Sequence, residues 1–393
     1  MFYLSSLRAI FFSICIFILP LASVAGPIVG ASQVDQYLPL LKNKRVGLIV
    51  NQTSVIGKTH LVDTLHKLGV KIQTIFAPEH GFRGDYAPGE TVNNTVDKKT
   101  GIPIVSLYGN NKKPSPQMLE GLDWVVFDIQ DVGVRFYTFI STMHLAMEAC
   151  AENNVKFMVL DRPNPNGHFI DGPILQPQFA SFVGMHPIPV IHGLTVAELA
   201  QMIQGEGWLA NKVQCDLTIV KVKNYKHSDT FVLPIAPSPN LPNQLSIMLY
   251  AGLCLFEGTA VSVGRGTDAP FQSFGFPAWH STPYVFTPKP IPGVADNPPL
   301  KNMICFGYSL QGLEHAKVFE HAKLNLDWLL MAYDGYPNKK SFFNPFFEKL
   351  AGNAELKQQI TAGWNETQIR KSWENGLIEY QKTRSKYLLY PLN

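Results

Sequence analysis

Carboxylic acids are the most prominent candidates for chemistry in this 393-residue chain. Glu79 lies in the turn sequence P-E-H-G at residues 78–81, and Asp128 and Asp131 lie in D-I-Q-D at residues 128–131. Two carboxyl groups can hydrolyse a glycosidic bond when one protonates the leaving oxygen and the other acts as a base or nucleophile. We predict that Glu79 is the general acid/base. Asp128 or Asp131 is then the second carboxylate, or the residue that orients water and sugar hydroxyls.

The elements that must position these residues follow an alternating α/β pattern. Short apolar runs predict strands at residues 45–50, 70–77, 102–107, 124–129 and 157–160. Helical spacing predicts helices at residues 59–68, 115–122 and 139–152. Near-continuous apolar strands separated by helices are typical of a parallel sheet covered on both faces.

Polar residues follow four of the predicted strands. They are Asn51, Glu79, Asp128 with Asp131, and Asp161 with Arg162. Because the carboxyl ends of parallel strands share one edge of the sheet, where open α/β sheets bind ligands, we expect these residues to line one cleft. The alternative for any one of them is a turn-forming role, which Asp and Asn commonly have at such positions.

A second region begins near His192. The sequence T-V-A-E at residues 195–198 predicts a capping box that opens a helix to about residue 204. A strand is predicted at residues 217–222, a buried helix at 246–256, and further helices at 325–333, 354–361 and 366–386. We predict a sheet domain at residues 26–190 and a smaller α/β domain at residues 191–393.

Composition and motif spacing exclude several classes of function. The chain has 33 Lys and Arg against 30 Asp and Glu, and its basic residues are not clustered, so no nucleic-acid partner is expected. Residues 57–59 (G-K-T) lack the glycine that a P-loop needs at position 52. Pro270, rather than a helix, follows the glycine-rich G-R-G-T-D-A at residues 264–269. With no H-E-x-x-H and no C-x-x-C, we expect neither a metal nor a cofactor.

The N-terminus has the pattern of a secretory signal peptide. Arg8 supplies a positive charge, residues 9–21 form an uncharged apolar run, and S-V-A at residues 23–25 suits signal peptidase. We predict cleavage near Ala25 and a periplasmic or secreted product without stable membrane insertion, with an uncleaved anchor as the alternative. The wide spacing of the later cysteines favours buried free thiols over one or two disulfides; they are Cys150, Cys215, Cys254 and Cys305.

A series of motifs carries a resemblance to a known family. In order they are A-P-E-H-G-F-R-G (77–84), S-L-Y-G (106–109), F-D-I-Q-D-V-G-V-R-F-Y-T (127–138), L-D-R-P-N-P-N-G (160–167), D-G-P-I-L (171–175), S-F-V-G (181–184), S-P-N-L-P (238–242) and E-G-T…S-V-G-R-G-T-D-A-P-F (257–271). Together they resemble the NamZ-type exo-β-N-acetylmuramidases of glycoside hydrolase family 171, over about residues 42–390. The resemblance implies a Rossmann-like domain, a second smaller α/β domain and an active-site cleft between them.

The implied activity is removal of terminal, non-reducing N-acetylmuramic acid from peptidoglycan fragments, in cell-wall turnover or recycling. The family's leading catalytic candidate is the Glu of the E-H-G motif, which is Glu79 here. Arg135 and Arg265 are candidates for the substrate's lactyl carboxylate, because a guanidinium fork matches a carboxylate. The full set of predicted substrate-binding residues is Asn51, His80, Arg135, Tyr137, Asp161, Arg162, Asn164, Glu257 and Arg265.

Two other classes of protein use a similar two-domain cleft or a similar substrate. One is a non-catalytic binding protein for muropeptide sugars. The other is a cell-wall amidase or esterase, for which the sequence has no recognised nucleophile or metal motif. Turnover of a chromogenic N-acetylmuramide separates the glycosidase from both.

Overall fold

The computed structural model describes residues 26–79, 81–83, 95–109 and 111–393. Within them the strands are β1 (Arg45–Val50), β2 (Val55–Ile56), β3 (Thr59–His60), β4 (Lys71–Ala77), β5 (Thr95–Val96), β6 (Pro103–Ser106), β7 (Trp124–Asp128), β8 (Lys156–Leu160), β9 (Leu217–Val220), β10 (Ser273–Phe276), β11 (Tyr284–Phe286) and β12 (Cys305–Ser309). The helices are α1 (Val34–Leu41), α2 (Leu61–Lys67), α3 (Pro116–Leu119), α4 (Phe139–Glu152), α5 (Val196–Gly205), α6 (Gln244–Leu253), α7 (His315–Glu320), α8 (Asp327–Gly335), α9 (Phe347–Ala351), α10 (Glu355–Thr361) and α11 (Glu366–Ser385). Helix α4 has the predicted bounds, whereas the helix predicted at residues 115–122 is the single turn α3.

Seven strands form one sheet in the order β5-β6-β4-β1-β7-β8-β9. Strand β5 is antiparallel to β6, and every other neighbouring pair in this sheet is parallel. Strand β7 is buried along its whole length and β1 along all but its first residue. Burial on both faces is the environment that near-continuous apolar strands require. The predicted parallel α/β sheet is therefore confirmed.

The strand order is Rossmann-like. The chain adds β4 and β6 on one side of β1, and then β7, β8 and β9 on the other. Open sheets commonly bind ligands where the order reverses, here between β1 and β7. In this protein internal polar contacts occupy that point, since Gln130 N donates to Thr53 Oγ1 at 3.0 Å and the Ser54 hydroxyl donates to the carbonyl oxygen of Asp128.

Local sequence determines where two helices, α5 and α6, begin. At α5, Thr195 N donates to Glu198 Oε2 at 2.8 Å and Glu198 N donates to Thr195 Oγ1 at 3.3 Å, which is the predicted capping box. At α6, Asn243 and Ser246 make the equivalent pair of bonds. Each cap satisfies backbone groups that the first turn of a helix leaves free. The second cap sets the start of a helix that forms one wall of the candidate site.

The second part of the chain contains a smaller antiparallel sheet, β10-β12-β11, together with α7 to α11. The first sheet continues beyond the boundary that the sequence predicts at residues 190–191, because β9 pairs in parallel with β8. The sequence pattern identifies β9 as a strand, but the pattern of one strand does not specify its partner.

Three further expectations concern the chain as a whole. The four cysteines within the described residues are buried and free, as their spacing predicts. No helix in that part of the chain combines the length and apolar character of a membrane span. Residues 1–25, which carry the predicted signal peptide, lie outside the described residues.

Candidate active site

Glu79 is half-buried just beyond the carboxyl end of β4, and two hydroxyl groups hold its carboxylate. Tyr108, which follows β6, donates from its phenol to Glu79 Oε1 at 3.1 Å. Thr138 donates from Oγ1 to Glu79 Oε2 at 3.2 Å. Thr138 is the N-cap residue of α4, yet its side chain makes no bond to the helix. Its hydroxyl orients the carboxylate instead of capping the helix.

Glu79 lines a small pocket between the two parts of the chain. One wall consists of Glu79, after β4, and residues 136–139, at the start of α4. A second is the proline-rich loop at residues 237–242, and a third comes from α6 and the glycine-rich segment at residues 264–271. The lining residues are Glu79, Phe136, Tyr137, Thr138, Phe139, Ser238, Asn240, Leu241, Tyr250, Arg265 and Phe271. Among its described lining residues the pocket thus combines one carboxylate and one guanidinium with largely aromatic walls, at the predicted cleft between two domains.

Arg265 is the cation of this pocket. Its Nε donates to Glu257 Oε1 at 2.5 Å, and its guanidinium carbon lies 4.8 Å from the centre of the Phe271 ring. Burial opposes the charge, but the Glu257 carboxylate outweighs it and raises the pKa of Arg265 above its usual range. The two terminal nitrogens donate to none of the described residues. They form a charged fork of N–H donors whose hydrogen bonds an anionic group of a ligand can accept.

Tyr137 anchors the loop that closes the pocket. Its phenol donates to the carbonyl oxygen of Pro237 at 2.7 Å. Burial, and then the charges of Asp131 and Glu79, raise the pKa of Tyr137 well above its ordinary value. The phenol therefore stays protonated and keeps its hydrogen bond to the loop.

Asp128 and Arg162 form a buried ion pair rather than part of the pocket lining. Arg162 Nε donates to Asp128 Oδ1 at 2.6 Å and Arg162 Nη2 donates to Oδ2 at 2.9 Å. The Asp128 side chain is 0% exposed and the Arg162 side chain is 4% exposed. Both carboxylate oxygens are thus engaged, and the pair joins the ends of β7 and β8.

Asp131 is buried and is not one of the lining residues of the pocket. Its Oδ2 accepts a hydrogen bond from Gly133 N at 2.7 Å and is 3.6 Å from His192 Nε2. Its Oδ1 is buried and has no hydrogen-bond partner among the described residues. The charge of Asp131 contributes to the raised pKa of Tyr137, which lines the pocket, although Asp131 itself is not among the lining residues.

Arg135 is fully buried away from the pocket. Its Nη1 donates to the carbonyl oxygens of Pro173 and Ile188 at 2.8 and 2.7 Å, and its Nη2 donates to those of Leu350 and Ala351 at 3.0 and 2.8 Å. Burial lowers the pKa of this guanidinium to about 9. With its terminal nitrogens used on main-chain oxygens, Arg135 holds α9 against the first domain and has no donor at the pocket.

Asp161 and Asn164 also make internal contacts. Asp161 accepts bonds from Thr195 Oγ1 at 2.8 Å and from the Tyr390 phenol at 2.5 Å, and burial raises the pKa of its carboxyl group to about 7. Asn164 donates to Leu194 O at 2.8 Å. These residues connect the end of β8 to the start of α5 and to the C-terminal segment.

Asn51 lies at the predicted sheet edge but is buried. Its Oδ1 accepts from Thr53 N at 2.9 Å and from Thr53 Oγ1 at 2.6 Å, which forms a local turn after β1. Its Nδ2 has no partner among the described residues.

His80, also predicted to bind substrate, lies outside the described residues. Of the predicted site residues, the described pocket lining brings together Glu79, Tyr137 and Arg265, with Glu257 directly behind Arg265.

Comparison with known proteins identifies the family. Residues 46–245 match the N-terminal domain of the exo-β-N-acetylmuramidase NamZ, and residues 248–390 match its C-terminal domain. The chain belongs to the NamZ family. A curated NamZ relative, the peptidoglycan β-N-acetylmuramidase of Bacillus subtilis (strain 168), is 43% identical in an alignment of 372 residues that covers 90% of this chain and 89% of the relative.

Two crystal structures of DUF1343 family proteins from Bacteroides fragilis NCTC 9343 resemble this NamZ-family chain. One is 45% identical with a TM-score of 0.88, and covers 94% of this chain and 100% of its own. The other is 30% identical with a TM-score of 0.76, and covers 93% and 99%. The two NamZ domains meet between residues 245 and 248, so the pocket described above lies where they join.

Sequence reasoning missed several residues of this NamZ-family site, namely Tyr108, Thr138, Asn240, Tyr250 and Phe271. All but Tyr250 lie inside the motifs that carry the family resemblance. The sequence signal that could have identified these residues was therefore their position inside a family motif, and not a position directly after a predicted strand. An uncharged hydroxyl or amide gives no indication of catalysis until a carboxylate is found beside it.

A second, larger cavity of about 480 Å³ contacts α6 on another face, through Met248, Leu249 and Gly252. Its lining is mostly apolar and includes Trp328 and Phe169. Its one lining carboxylate among the described residues, Glu314, pairs with Lys317 at 3.0 Å. The smaller pocket is the better candidate in this NamZ-family protein, because there the Glu79 carboxylate lines the cavity without a basic partner among the described residues.

Proposed function

We propose that this chain is an exo-acting glycosidase that removes terminal, non-reducing N-acetylmuramic acid from peptidoglycan fragments in cell-wall turnover or recycling. The observation that carries the proposal is the presence of Glu79 and Arg265 in one pocket of a NamZ-family chain. The substrate has a glycosidic oxygen that must be protonated and a lactyl carboxylate that must be bound. The pocket offers one group for each.

Glu79 is the general acid/base. The bonds from Tyr108 and Thr138 hold one carboxyl oxygen each, which leaves the group oriented before substrate arrives. Both partners are hydroxyls and therefore accept as well as donate, so they accommodate the carboxyl group with or without its proton. A positioned acid of this kind contributes roughly 10²- to 10⁴-fold to the rate of bond cleavage.

Asp131 is the better supported of the two predicted second carboxylates. Arg162 engages both oxygens of Asp128, whereas Asp131 keeps one oxygen without a partner among the described residues. Asp131 is buried, and its charge acts on the Tyr137 phenol in the pocket wall. Such a charge stabilises the positive, oxocarbenium-like transition state of glycoside hydrolysis.

Arg265 binds the lactyl carboxylate. Glu257 takes the Nε edge of the guanidinium and Phe271 supports its face, so the two terminal nitrogens face the ligand as a rigid fork. That geometry suits bidentate recognition of a carboxylate. The same argument does not apply to Arg135, whose terminal nitrogens are bonded to main-chain carbonyls.

The Arg265→Met variant tests this role. Loss of a charge-assisted bond costs about 1.5–3 kcal/mol, so kcat/KM for an N-acetylmuramide should fall roughly 10- to 150-fold. For the matched N-acetylglucosaminide, which lacks the lactyl group, it should change little. The control is Arg45→Met, which changes an arginine at the N-terminal end of β1, outside the pocket. Equal losses on both glycosides, or equal wild-type turnover of both, would contradict the assignment.

Product analysis on a defined fragment with N-acetylmuramic acid at its non-reducing end tests the function itself. The glycosidase releases the free sugar from that end, while internal linkages remain intact. A binding protein would retain the fragment without cleaving it, and an amidase or esterase would release a peptide or acyl group instead. Either of those results would refute the proposal.

We propose further that the mature protein is periplasmic or secreted after cleavage near Ala25. The supporting observations are the charge at Arg8, the apolar run at residues 9–21 and a substrate that lies outside the cytoplasmic membrane. N-terminal sequencing of the protein from its native host should show a first residue near Gly26. Retention of Met1 on membrane-bound material would overturn this proposal.

A further inference from the structure

Asn240 lines the candidate pocket and carries a buried hydrogen-bond acceptor that has no partner among the described residues. This residue is 1% exposed and is one of the lining residues, in the S-P-N-L-P loop. Its Nδ2 donates to the carbonyl oxygen of Val294 at 2.8 Å, which defines Oδ1 as the accepting end of the amide. Oδ1 has no hydrogen-bond partner among the described residues. Buried polar atoms in native proteins nearly always have partners, so this one calls for an explanation.

The loop holds this acceptor in a fixed position. Asn240 N donates to Ser238 Oγ at 3.3 Å, and Leu241 N donates to Ser238 O at 2.9 Å. The preceding residue, Pro237, accepts bonds through its carbonyl oxygen from Tyr137 at 2.7 Å and from Gln52 at 3.1 Å. The orientation of Oδ1 is therefore set before any ligand binds, which is the arrangement expected of a recognition group.

The surroundings of Asn240 select the kind of donor that fits. Leu241, Phe136, Phe139, Tyr250 and Phe271 supply apolar and aromatic surface in the same pocket. A sugar hydroxyl would satisfy Oδ1 but has no apolar group to place against this surface. A secondary amide that carries a methyl group offers an N–H donor and an apolar end together. The 2-acetamido substituent of an N-acetylated sugar has this chemistry.

We propose that Asn240 Oδ1 accepts the N–H of the substrate's 2-acetamido group, with the acetyl methyl against the aromatic wall. This inference rests on the proposed glycosidase function and adds a specificity-determining residue to it. Three chemical features of the substrate then have separate receptors: Glu79 for the glycosidic oxygen, Arg265 for the lactyl carboxylate and Asn240 for the acetamido group.

A pair of substrates that differ by one hydrogen-bond donor tests the proposal. One is the 4-nitrophenyl glycoside of N-acetylmuramic acid, and the other carries a 2-O-acetyl ester in place of the amide. Wild-type kcat/KM should favour the amide by at least tenfold, because the ester leaves the buried acceptor without a partner. Asn240→Ala should lower kcat/KM for the amide by about tenfold to 100-fold, change the ester little, and so reduce the preference by a similar factor.

Gln52→Ala is the matched control, since it removes a bond to the same loop but leaves Oδ1 in place. It should affect both substrates alike and keep the wild-type preference. A folded Asn240→Ala protein that keeps the full preference would overturn the proposal. So would a wild-type enzyme that shows no preference, a result that requires no variant to fold. Absence of any turnover of the N-acetylmuramide would instead refute the glycosidase function on which the proposal rests.

Discussion

Glu79→Gln is expected to slow hydrolysis of a sugar–sugar linkage by roughly 10²- to 10⁴-fold, the usual contribution of a general acid. Glutamine keeps the size of the side chain and can still bond to Tyr108 and Thr138, but it has no acidic proton for the leaving oxygen. A nitrophenolate leaves readily without protonation. The loss on a nitrophenyl glycoside should therefore be much smaller, and steady-state kinetics on the two substrates measure the difference.

The control for Glu79→Gln is Glu120→Gln, which changes an exposed carboxylate outside the pocket and should leave both activities near wild type. Thermal unfolding of each variant separates loss of catalysis from loss of structure. Equal losses on both substrates would make Glu79 the base or nucleophile rather than the acid. Near wild-type turnover of both substrates by a folded Glu79→Gln protein would remove Glu79 from the mechanism and shift attention to Asp131.

Asp128→Ala should lower the free energy of unfolding by about 3–5 kcal/mol, because it leaves the Arg162 guanidinium buried without its counter-charge. The double variant Asp128→Leu/Arg162→Met should recover most of this loss, since apolar residues of similar volume often replace a buried ion pair at little cost. Denaturant unfolding, followed by fluorescence, measures the free energy of unfolding of the wild type, the single variant and the double variant.

The matched control is Asp123→Ala, at the other end of β7. Its ion pair with Arg45 is exposed, with 53% of the Arg45 side chain and 33% of the Asp123 side chain accessible. Loss of such a pair costs about 1 kcal/mol or less. If Asp128 is structural, the folded double variant keeps its activity per molecule. A folded but inactive double variant would return Asp128 to the catalytic residues.

The two carboxylates of the D-I-Q-D segment show how far sequence reasoning reached. Their position at the end of a buried apolar run places both at the carboxyl edge of a parallel sheet, and β7 ends at Asp128, one residue before the predicted end. The pattern does not distinguish them, because both are Asp and both lie at the end of the predicted strand. Asp128 differs from Asp131 through Arg162, which lies 34 residues later in the chain.

The two arginines predicted to bind the lactyl group differ for a similar reason. Arg135 and Arg265 both lie within family motifs, and either guanidinium suits a carboxylate. Arg135 Nη2 is bonded to Leu350 O, which is 215 residues away in sequence. Arg265 is held by Glu257, eight residues away, and its two terminal nitrogens have no hydrogen-bond partner among the described residues. A distant segment of main chain therefore removed one candidate from the pocket.

The sequence by itself determined the parts of this protein that depend on near neighbours. Apolar runs specified the buried strands, the Thr195–Glu198 pair specified the start of α5, and the family motifs indicated Glu79. These signals are readable because strand and helix periodicity, capping and turn formation involve residues only a few positions apart.

Only the tertiary structure decided which polar side chains face the pocket and which are used inside the fold. Glu79 meets Thr138 across 59 residues, and Tyr137 meets Pro237 across 100. No local pattern encodes such pairs, because a buried polar atom takes whichever partner the packing of distant segments brings within hydrogen-bond distance. The same physical requirement, that buried polar atoms be satisfied, uses Asp128 and Arg135 inside the fold, whereas Arg265 and Asn240 line the pocket.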